Sequence, residues 1–428
     1  MGGSGSGARR GDGEGVAGEQ AAHAAVAGAM NTPTILLGAF DRHNFGDLLF
    51  PHLAAALLPG SRLIFAGLAE RDLRPFGGHR THALARLAVE LGNAPVRLIH
   101  VGGEILTCEA WHAALMLQSP AAVPALVARL DAHPAERLAW ARSTLGLASL
   151  APYVAGRRLF PRAQLLHVGV GGANLALSPP ALRAEVTEAL READAVGVRD
   201  RQTLGHLHAA GIQAHLMPDP AVLTAERFGP TIAAHAARGE VAAIARRFPG
   251  GYLAVQFSAE FGDDASLDTL AAQLNQAAAA SACGLALFRA GSAPWHDDAD
   301  CLQRLARRLP GARVQIFQSL QLWDICALIA ASRGYCGSSL HGRIVATAFA
   351  RPRLNLRPPQ AGEPGKIQAY TDTWEAPEPP TSAPVDALAE PLHQALAADP
   401  ASLHAMAREL ADRYRRSFAA HLPPSNRR

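Results

Sequence analysis

Short apolar runs alternate with longer amphipathic stretches from Thr34 onward, and this pattern indicates strands that alternate with helices. The run TILLGAF at 34–40 predicts a buried strand, and the leucine-rich stretch at 48–58 predicts the helix that follows it. Comparable runs predict further strands in the first half of the chain, at 62–68, 96–104, 163–172, 194–200 and 214–221. Because strands separated by helices usually pair in parallel, this half should form a doubly wound sheet.

The same rhythm starts again near Gly250. Strands are predicted at 252–258, 285–291, 313–318, 334–337 and 353–356, with helices between them. The predicted fold class is α/β, with two doubly wound, Rossmann-like domains that face a cleft, and a C-terminal helix at 402–418. The predicted domain organisation is a disordered extension at 1–31, an N-terminal α/β domain at 32–228, a C-terminal α/β domain at 229–375, and a proline-rich linker with the C-terminal helix at 376–428.

Composition narrows the class of protein. The chain has 428 residues, of which 49% are hydrophobic and 18% charged, and its net charge is only +3, so we expect no nucleic-acid partner. The five cysteines form no C-x-x-C pair, which argues against a zinc site or a disulfide framework. No apolar run reaches the roughly 18 residues of a membrane span, and the N-terminus does not resemble a signal peptide. We therefore expect a cytoplasmic protein with no membrane span, no metal and no cofactor.

Small and polar residues follow several predicted strands. In the loop HNFGD at 43–47, Asn44 and Gly46 suit a tight turn and Asp47 can cap the helix that follows. The alternative is that the loop binds a ligand. The paired glycines Gly102–Gly103 and Gly171–Gly172 would let a ligand approach the backbone, or serve only as turns. In HDDAD at 296–300, a capped, solvated loop is favoured over a metal motif.

Three basic residues are candidates for binding an anion. Arg199 ends a predicted strand, where its guanidinium could bind a carboxylate or phosphate through two nitrogens, or form a surface pair with Asp200. His341 opens a predicted helix, whose free N–H groups and dipole suit an anion, although a lone histidine is more often structural. Lys366 is the only lysine among 40 basic residues, and its compact ammonium group is a different donor from a guanidinium.

Three motifs together resemble the polysaccharide pyruvyl transferase family over roughly 34–375. They are NFGD at 44–47, GVRDRQTLGHLHAAGI with PDPA at 197–221, and GSSLHGRIVATAFARPRLNL at 337–356. The resemblance implies an architecture similar to B-type glycosyltransferases. It also implies transfer of a pyruvyl group from phosphoenolpyruvate to a saccharide or lipid-linked saccharide as a ketal, with release of phosphate, in exopolysaccharide or cell-envelope biosynthesis.

The resemblance also implies roles for individual residues. His341 matches a catalytic position, and Arg199 and Lys366 match positions that bind phosphoenolpyruvate. Ser339 stands where several family members carry an arginine, and Arg343 lies nearby as a substitute donor. The proton steps of this chemistry require a group that titrates near neutral pH, for which histidine is suited.

Two other functions are compatible with the same residues. A B-type glycosyltransferase would use the basic residues of the C-terminal half to hold the diphosphate of a nucleotide sugar. A non-catalytic relative would bind a sugar or an anion without turning it over.

Overall fold

The computed structural model describes residues 32–357 and 365–422, so the predicted disorder of 1–31 lies outside the described residues. The N-terminal half contains eight strands among these residues: β1 Thr34–Leu37, β2 Leu63–Gly67, β3 Arg71–Asp72, β4 Arg80–Ala83, β5 Val96–Val101, β6 Ala163–Val170, β7 Ala195–Val198 and β8 His215–Leu216. The C-terminal half contains six: β9 Tyr252–Gln256, β10 Gly284–Leu287, β11 Val314–Ile316, β12 Gly334–Gly337, β13 Arg353–Leu356 and β14 Ser382–Ala383.

The helices lie between these strands in the order that the sequence predicts. Within the described residues they are α1 Phe45–Leu57, α2 Leu84–Leu91, α3 Ala110–Leu115, α4 Val123–Leu130, α5 Pro134–Leu145, α6 Pro180–Arg191, α7 Arg201–Ala209, α8 Thr224–Ala236, α9 Gly239–Arg247, α10 Asp264–Ala280, α11 Ala299–Arg308, α12 Leu322–Ala331, α13 Leu340–Ala348, α14 Lys366–Trp374, α15 Ala389–Leu396 and α16 Pro400–His421. None of these helices combines the length and apolar character that crossing a membrane would require.

The strands form two separate sheets. The first has the order β3-β4-β2-β1-β5-β6-β7-β8, and the second has the order β11-β10-β9-β12-β13-β14. All the strand pairs are parallel except the short pair β3–β4 at the edge of the first sheet. The prediction of two doubly wound α/β domains is therefore confirmed.

Apolar side chains cover both faces of each sheet, as parallel sheets require. In β1, Ile35 and Leu37 point into a core of the N-terminal half, whereas Leu36 points the other way. Leu36 belongs to a second core that also includes Tyr335 of β12 and Ile344 of α13. This shared core joins the two sheets, while a third core lies only in the C-terminal half.

The segment after residue 375 contributes a strand as well as the C-terminal helix. Ser382 and Ala383 form β14, which extends the second sheet beside β13. The C-terminal helix α16 then packs on β6 and β7 of the first sheet and on α13 of the other half, with Tyr414 and Phe418 in the shared core. The predicted C-terminal helix is confirmed, but the composition of 376–428 did not reveal the strand.

Two stacked histidines should make the fold sensitive to acid. The rings of His100 on β5 and His167 on β6 are fully buried, with centroids 3.9 Å apart. Burial lowers the pKa of His100 to about 4 and lowers the pKa of His167 well below its ordinary value. An unfolded histidine titrates near pH 6.5, so below that pH the unfolded chain binds protons that the folded pair excludes.

The free energy of unfolding should therefore fall as the pH drops from about 6.5 towards 4, by up to ~1.4 kcal/mol per pH unit for each histidine. Urea unfolding followed between about pH 7 and pH 5 measures this slope. His167→Phe keeps an aromatic ring in the stack but cannot ionise, so its slope should be shallower. An unchanged slope in that variant would assign the acid sensitivity to other groups.

Candidate active site

A cavity of about 1600 Å³ lies between the two halves, at the carboxyl ends of their strands. From the N-terminal half, it is lined by residues that follow β1, β5 and β7, including Arg42, Glu104 and Arg199. From the C-terminal half, it is lined by residues that follow β12 and β13, including His341 and Arg357. The paired glycines Gly171–Gly172 do not line it.

His341 lies in the first turn of α13, with its ring at the wall of the cavity. The helix begins there because the Ser339 hydroxyl accepts a hydrogen bond from the Gly342 N–H at 3.2 Å. The imidazole packs edge-on against Phe50, with ring centroids 5.1 Å apart, and a side chain at Gly46 would overlap it. The residue is only 9% exposed, so its ring is held between the two halves.

The His341 ring faces a buried carboxylate that the sequence analysis did not single out. Its Nε2 has no hydrogen-bond partner within the described ranges and lies 3.8 Å from Oδ2 of Asp219. Burial by itself would raise the pKa of Asp219, but His341 and Arg199 hold that pKa below its ordinary value. Asp219 comes from the PDPA motif and is fixed by the Ala221 N–H, which donates to its other oxygen at 2.9 Å.

Arg199 lines the cavity, but its guanidinium is already engaged. Nη1 donates to Asp219 Oδ2 at 2.9 Å, and Nη2 donates to Glu104 Oε2 at 2.6 Å. The side chain is 1% exposed, so the alternative of a surface pair with Asp200 is wrong. Asp200 is instead buried and caps α7 by accepting from the Thr203 N–H at 2.6 Å. This geometry suits a residue that positions Asp219. It suits a ligand-binding residue less well.

Three of the four paired glycines do not line the cavity and instead leave space for neighbouring side chains. A side chain at Gly171 would overlap Glu104 and Arg199, and one at Gly172 would press on Leu106. Gly102 has a φ of +61° and lies against the ring of Phe50. Of the four, Gly103 borders the cavity, and its φ of +80° is one that residues other than glycine rarely adopt.

The HNFGD loop ties the two halves together. His43 Nε2 donates to the Leu320 carbonyl at 2.7 Å, and its Nδ1 accepts from the Ser292 N–H at 3.2 Å. Asn44 forms a bridge with Gly291, and its side chain caps α1 by accepting from the Gly46 N–H at 3.1 Å. A helix cap is present as expected, but Asn44 provides it, whereas Asp47, the residue predicted to be the cap, lies in the first turn of α1.

Asn44 and Asp47 also line the cavity, and the Asp47 side chain is 7% exposed. The loop therefore serves the fold and the cavity at once. Its two roles explain why the sequence favoured neither interpretation.

Arg343 does not face the cavity, contrary to the prediction that it substitutes for an arginine at position 339. Its Nε and Nη2 donate to the two oxygens of Glu375 at 2.6 and 2.7 Å. Its Nη1 donates to Asn355 Oδ1 at 3.0 Å and to the Thr381 carbonyl at 2.9 Å. At 1% exposure, it is a buried structural residue. Ser339 does border the cavity, where it also caps α13.

Three cationic side chains line the cavity without a salt bridge to any described residue. Lys366 is exposed at the start of α14, and Arg357 is exposed at the end of β13. Arg42 donates from Nη1 to the Tyr153 hydroxyl at 2.8 Å, while its buried Nε has no hydrogen-bond partner in the described part of the chain. The helix of Lys366 follows Gly365 and so begins without a side-chain cap. These features make this part of the cavity suitable for an anion.

Two further titratable groups come from the loop after β10. Burial lowers the pKa of His296 to about 3 and raises the pKa of Asp297 to about 7. Asp297 Oδ1 accepts from Gln256 Nε2 at 2.8 Å. Asp298 caps α11 by accepting from the Asp300 N–H at 2.8 Å, which agrees with the capped-loop interpretation of HDDAD.

The sequence analysis missed several residues of the cavity. Asp219 and Glu104 were each inside a quoted motif or predicted loop, so their strand-end positions were a usable signal. Asp297 lay inside the quoted motif HDDAD, which was interpreted as a capped, solvated loop. Arg42 and Arg357 carried no such signal, because nothing in a chain so rich in arginine separates the cavity arginines from surface ones.

Comparisons with solved structures support the predicted architecture. The UDP-N-acetylglucosamine 2-epimerase from Rickettsia bellii aligns over 91% of this chain and 95% of its own, with 11% identity and a TM-score of 0.51. The UDP co-structure of MnaA from S. aureus aligns over 90% and 92%, with 12% identity and a TM-score of 0.51. At such identities the likeness concerns the fold alone, which is similar to that of B-type glycosyltransferases, as predicted.

Sequence comparison matches part of the chain to a family. No curated protein matches the chain. A family model described as polysaccharide pyruvyl transferase matches residues 168–358, a range that includes Arg199, Asp219 and His341 but not the NFGD motif. The predicted family is therefore confirmed: over residues 168–358, the chain matches the polysaccharide pyruvyl transferases.

Proposed function

We propose that this protein transfers a pyruvyl group from phosphoenolpyruvate to a saccharide acceptor as a cyclic ketal and releases phosphate. The observation that carries the proposal is the pair His341–Asp219 at the wall of a cavity that also holds Arg42, Arg357 and Lys366. The reaction would take place in the cytoplasm, during assembly of an exopolysaccharide or another cell-envelope glycan.

The cations suit the donor. Phosphoenolpyruvate carries a carboxylate and a phosphate, so its site needs several separate positive groups. Lys366 lies at the uncapped start of α14, Arg357 follows β13, and both line the cavity. Together they supply charge-assisted donors and backbone N–H groups, which bind phosphate well. Arg42 supplies a further guanidinium from the other half of the molecule.

His341 is suited to the proton steps. In the proposed reaction, a proton adds to the methylene carbon of phosphoenolpyruvate, and a sugar hydroxyl attacks the adjacent carbon and loses its own proton. Cleavage of the bond to phosphate and attack by a second hydroxyl then close the ketal. The two hydroxyl protons account for the one gained by the methyl carbon and the one that leaves with phosphate. An imidazole can both donate and accept near neutral pH.

Asp219 would orient the ring of His341. The Asp219 carboxylate lies 3.8 Å from Nε2, and a small shift of the ring would complete a hydrogen bond. Arg199 keeps Asp219 ionised by donating to it, and Glu104 in turn balances the charge of Arg199. In this proposal Arg199 supports catalysis through its neighbours.

Phosphate release tests the proposal directly. Purified protein is incubated with phosphoenolpyruvate and a panel of glycans, and phosphate and the glycan ketal are measured. Thermal-shift titrations with phosphoenolpyruvate and with UDP separate the alternatives, because a ligand that binds the native state raises its stability. Stabilisation by UDP alone would favour a B-type glycosyltransferase. Binding of phosphoenolpyruvate without turnover on any glycan would favour a non-catalytic relative.

Lys366 provides a prediction about the donor site. Lys366→Gln removes one charge-assisted contact, worth about 1.5–3 kcal/mol, and should weaken binding of phosphoenolpyruvate by roughly 10–100-fold. Lys366→Arg keeps the positive charge but replaces the compact ammonium group by a planar guanidinium. Binding of phosphoenolpyruvate should therefore weaken less than in Lys366→Gln. Calorimetric titration with phosphoenolpyruvate is the measurement. Exposed Arg408 on α16 offers a control, since Arg408→Gln should bind like the unaltered protein.

A further inference from the structure

Trp295 is an exposed aromatic residue at the cavity. Three large hydrophobic residues in the described ranges are strongly exposed, namely Val89, Leu177 and Trp295. Trp295 is the one of them that lines the cavity, and its side chain is 51% exposed. An indole in this position leaves a broad apolar face in contact with solvent, which is unfavourable unless a ligand covers it.

The backbone holds this indole in an unusual conformation. Trp295 has a φ of +62°, a left-handed value that bulky residues rarely adopt. Such conformations persist where the surrounding structure enforces them, and they occur preferentially at functional sites.

The loop around Trp295 is fixed on both sides. Before it, the N–H groups of Ser292 and Ala293 donate to the His43 carbonyl at 3.1 and 3.3 Å. After it, the His296 carbonyl accepts from the Ala259 N–H at 3.3 Å, and Asp297 accepts from the Ala290 N–H. The exposure of Trp295 is therefore a property of an anchored loop.

Both halves of the molecule contribute to the surface around this indole. His112 of α3 contacts Trp295 edge-on, with ring centroids 5.7 Å apart, and Met116 of the same chain segment lines the cavity. On the other side, the bonded Ala259 lies between Ser258 and Glu260, which both line the cavity, and the Ser258 hydroxyl donates to Glu260 at 2.7 Å. An apolar ring face thus lies close to groups that can bind hydroxyls.

The size of the cavity leaves room for a second ligand. Its volume of about 1600 Å³ exceeds the roughly 300–1,000 Å³ of a typical pocket for one drug-sized ligand. Phosphoenolpyruvate is smaller than such ligands, and its charges suit the cations Arg42, Arg357 and Lys366. The part lined by Trp295 remains for a ligand with an apolar face and many hydroxyls, which describes a pyranose ring.

We propose that Trp295 is the platform on which a pyranose ring of the acceptor stacks, with Glu260 and Ser258 available to its hydroxyls. The inference rests on the proposed function, which provides the reason for a saccharide in this cavity. It adds the place and the mode of acceptor binding. Trp295 would determine acceptor affinity and leave donor binding unchanged.

The test uses methyl glycosides of glucose, galactose, mannose and N-acetylglucosamine as probes, in the presence and absence of phosphoenolpyruvate. Binding to the full chain is measured by saturation-transfer NMR and by the change in tryptophan fluorescence. Trp295→Ala should weaken binding of the best probe about tenfold or more, as is typical for loss of a stacking partner. Trp295→Phe should retain most of the affinity, and Leu177→Ala is the matched control at an exposed site outside the cavity.

Donor binding distinguishes this inference from the proposed function. Thermal shifts with phosphoenolpyruvate should be equal in the unaltered protein and in Trp295→Ala. If phosphoenolpyruvate fails to bind but glycosides bind through Trp295, the proposed donor is wrong. The proposed role of Trp295 in saccharide binding would still be supported. If Trp295→Ala binds glycosides as well as the unaltered protein, or if the unaltered protein binds none of the four, the platform is overturned.

Discussion

His341→Ala should lower the rate of phosphate release from phosphoenolpyruvate by about 10²–10⁴-fold, the usual range for loss of a general acid or base. The expectation rests on the position of the imidazole, which borders the cavity and faces Asp219 with an Nε2 that no described residue binds. Steady-state phosphate release with a competent acceptor is the measurement.

Two controls make this result specific to the site. His404→Ala alters an exposed histidine on α16, whose ring bonds to the Pro400 carbonyl of its own helix, and should leave the rate unchanged. The melting temperature of His341→Ala should fall, because the ring packs against Phe50, but the variant should remain folded at the assay temperature. A near-normal rate with an intact fold would make His341 a structural residue.

The strands and helices were predictable because burial dictates their composition. A strand covered on both faces, such as β1, is apolar at nearly every position, and that run stands out in the sequence. The two-residue strands β3 and β14 lack such a run. β14 exists because backbone groups of Ser382 and Ala383 find partners on β13, a long-range contact that no local pattern encodes.

The position of the site was predictable from the sequence, but the ion-pair partners of its residues were not. Residues at strand ends meet at one edge of a parallel sheet, so the sequence could place Arg199 and His341 at the same cleft. It could not show that Arg199 would meet Glu104, from a loop 95 residues away, or that Arg343 would turn towards Glu375. Whether an arginine is free to bind an anion depends on such partners, which only the folded chain reveals.

The contacts between the two halves were likewise beyond the sequence. His43 reaches Ser292 across 249 positions, and Gly46 is small because the His341 ring occupies the adjacent space. The NFGD motif can be understood as a turn from sequence alone. Its function as a link between the halves depends on how the two sheets are packed against each other.

Arg199→Leu should lower the free energy of unfolding by about 3–5 kcal/mol, the usual effect of removing one partner from a buried ion pair. Asp219 is fully buried and Glu104 is largely so, and the substitution would leave both carboxylates without their cation. The activity should fall as well, because Asp219 would no longer be held ionised beside His341. Urea unfolding and phosphate release measure the two effects.

The stability effect decides between the two roles of Arg199. If Arg199 only bound phosphoenolpyruvate, its replacement would lower the affinity for phosphoenolpyruvate. It would hardly change the free energy of unfolding of the ligand-free protein. Exposed Arg201, which donates to the Asp372 carbonyl, is the matched control, and Arg201→Leu should change stability by no more than about 0.5 kcal/mol. Adding Asp219→Asn to Arg199→Leu should restore part of the lost stability, since the buried charge is then removed. If Arg199→Leu unfolds like the unaltered protein and only its affinity for phosphoenolpyruvate falls, Arg199 is a ligand-binding residue and the positioning role is wrong.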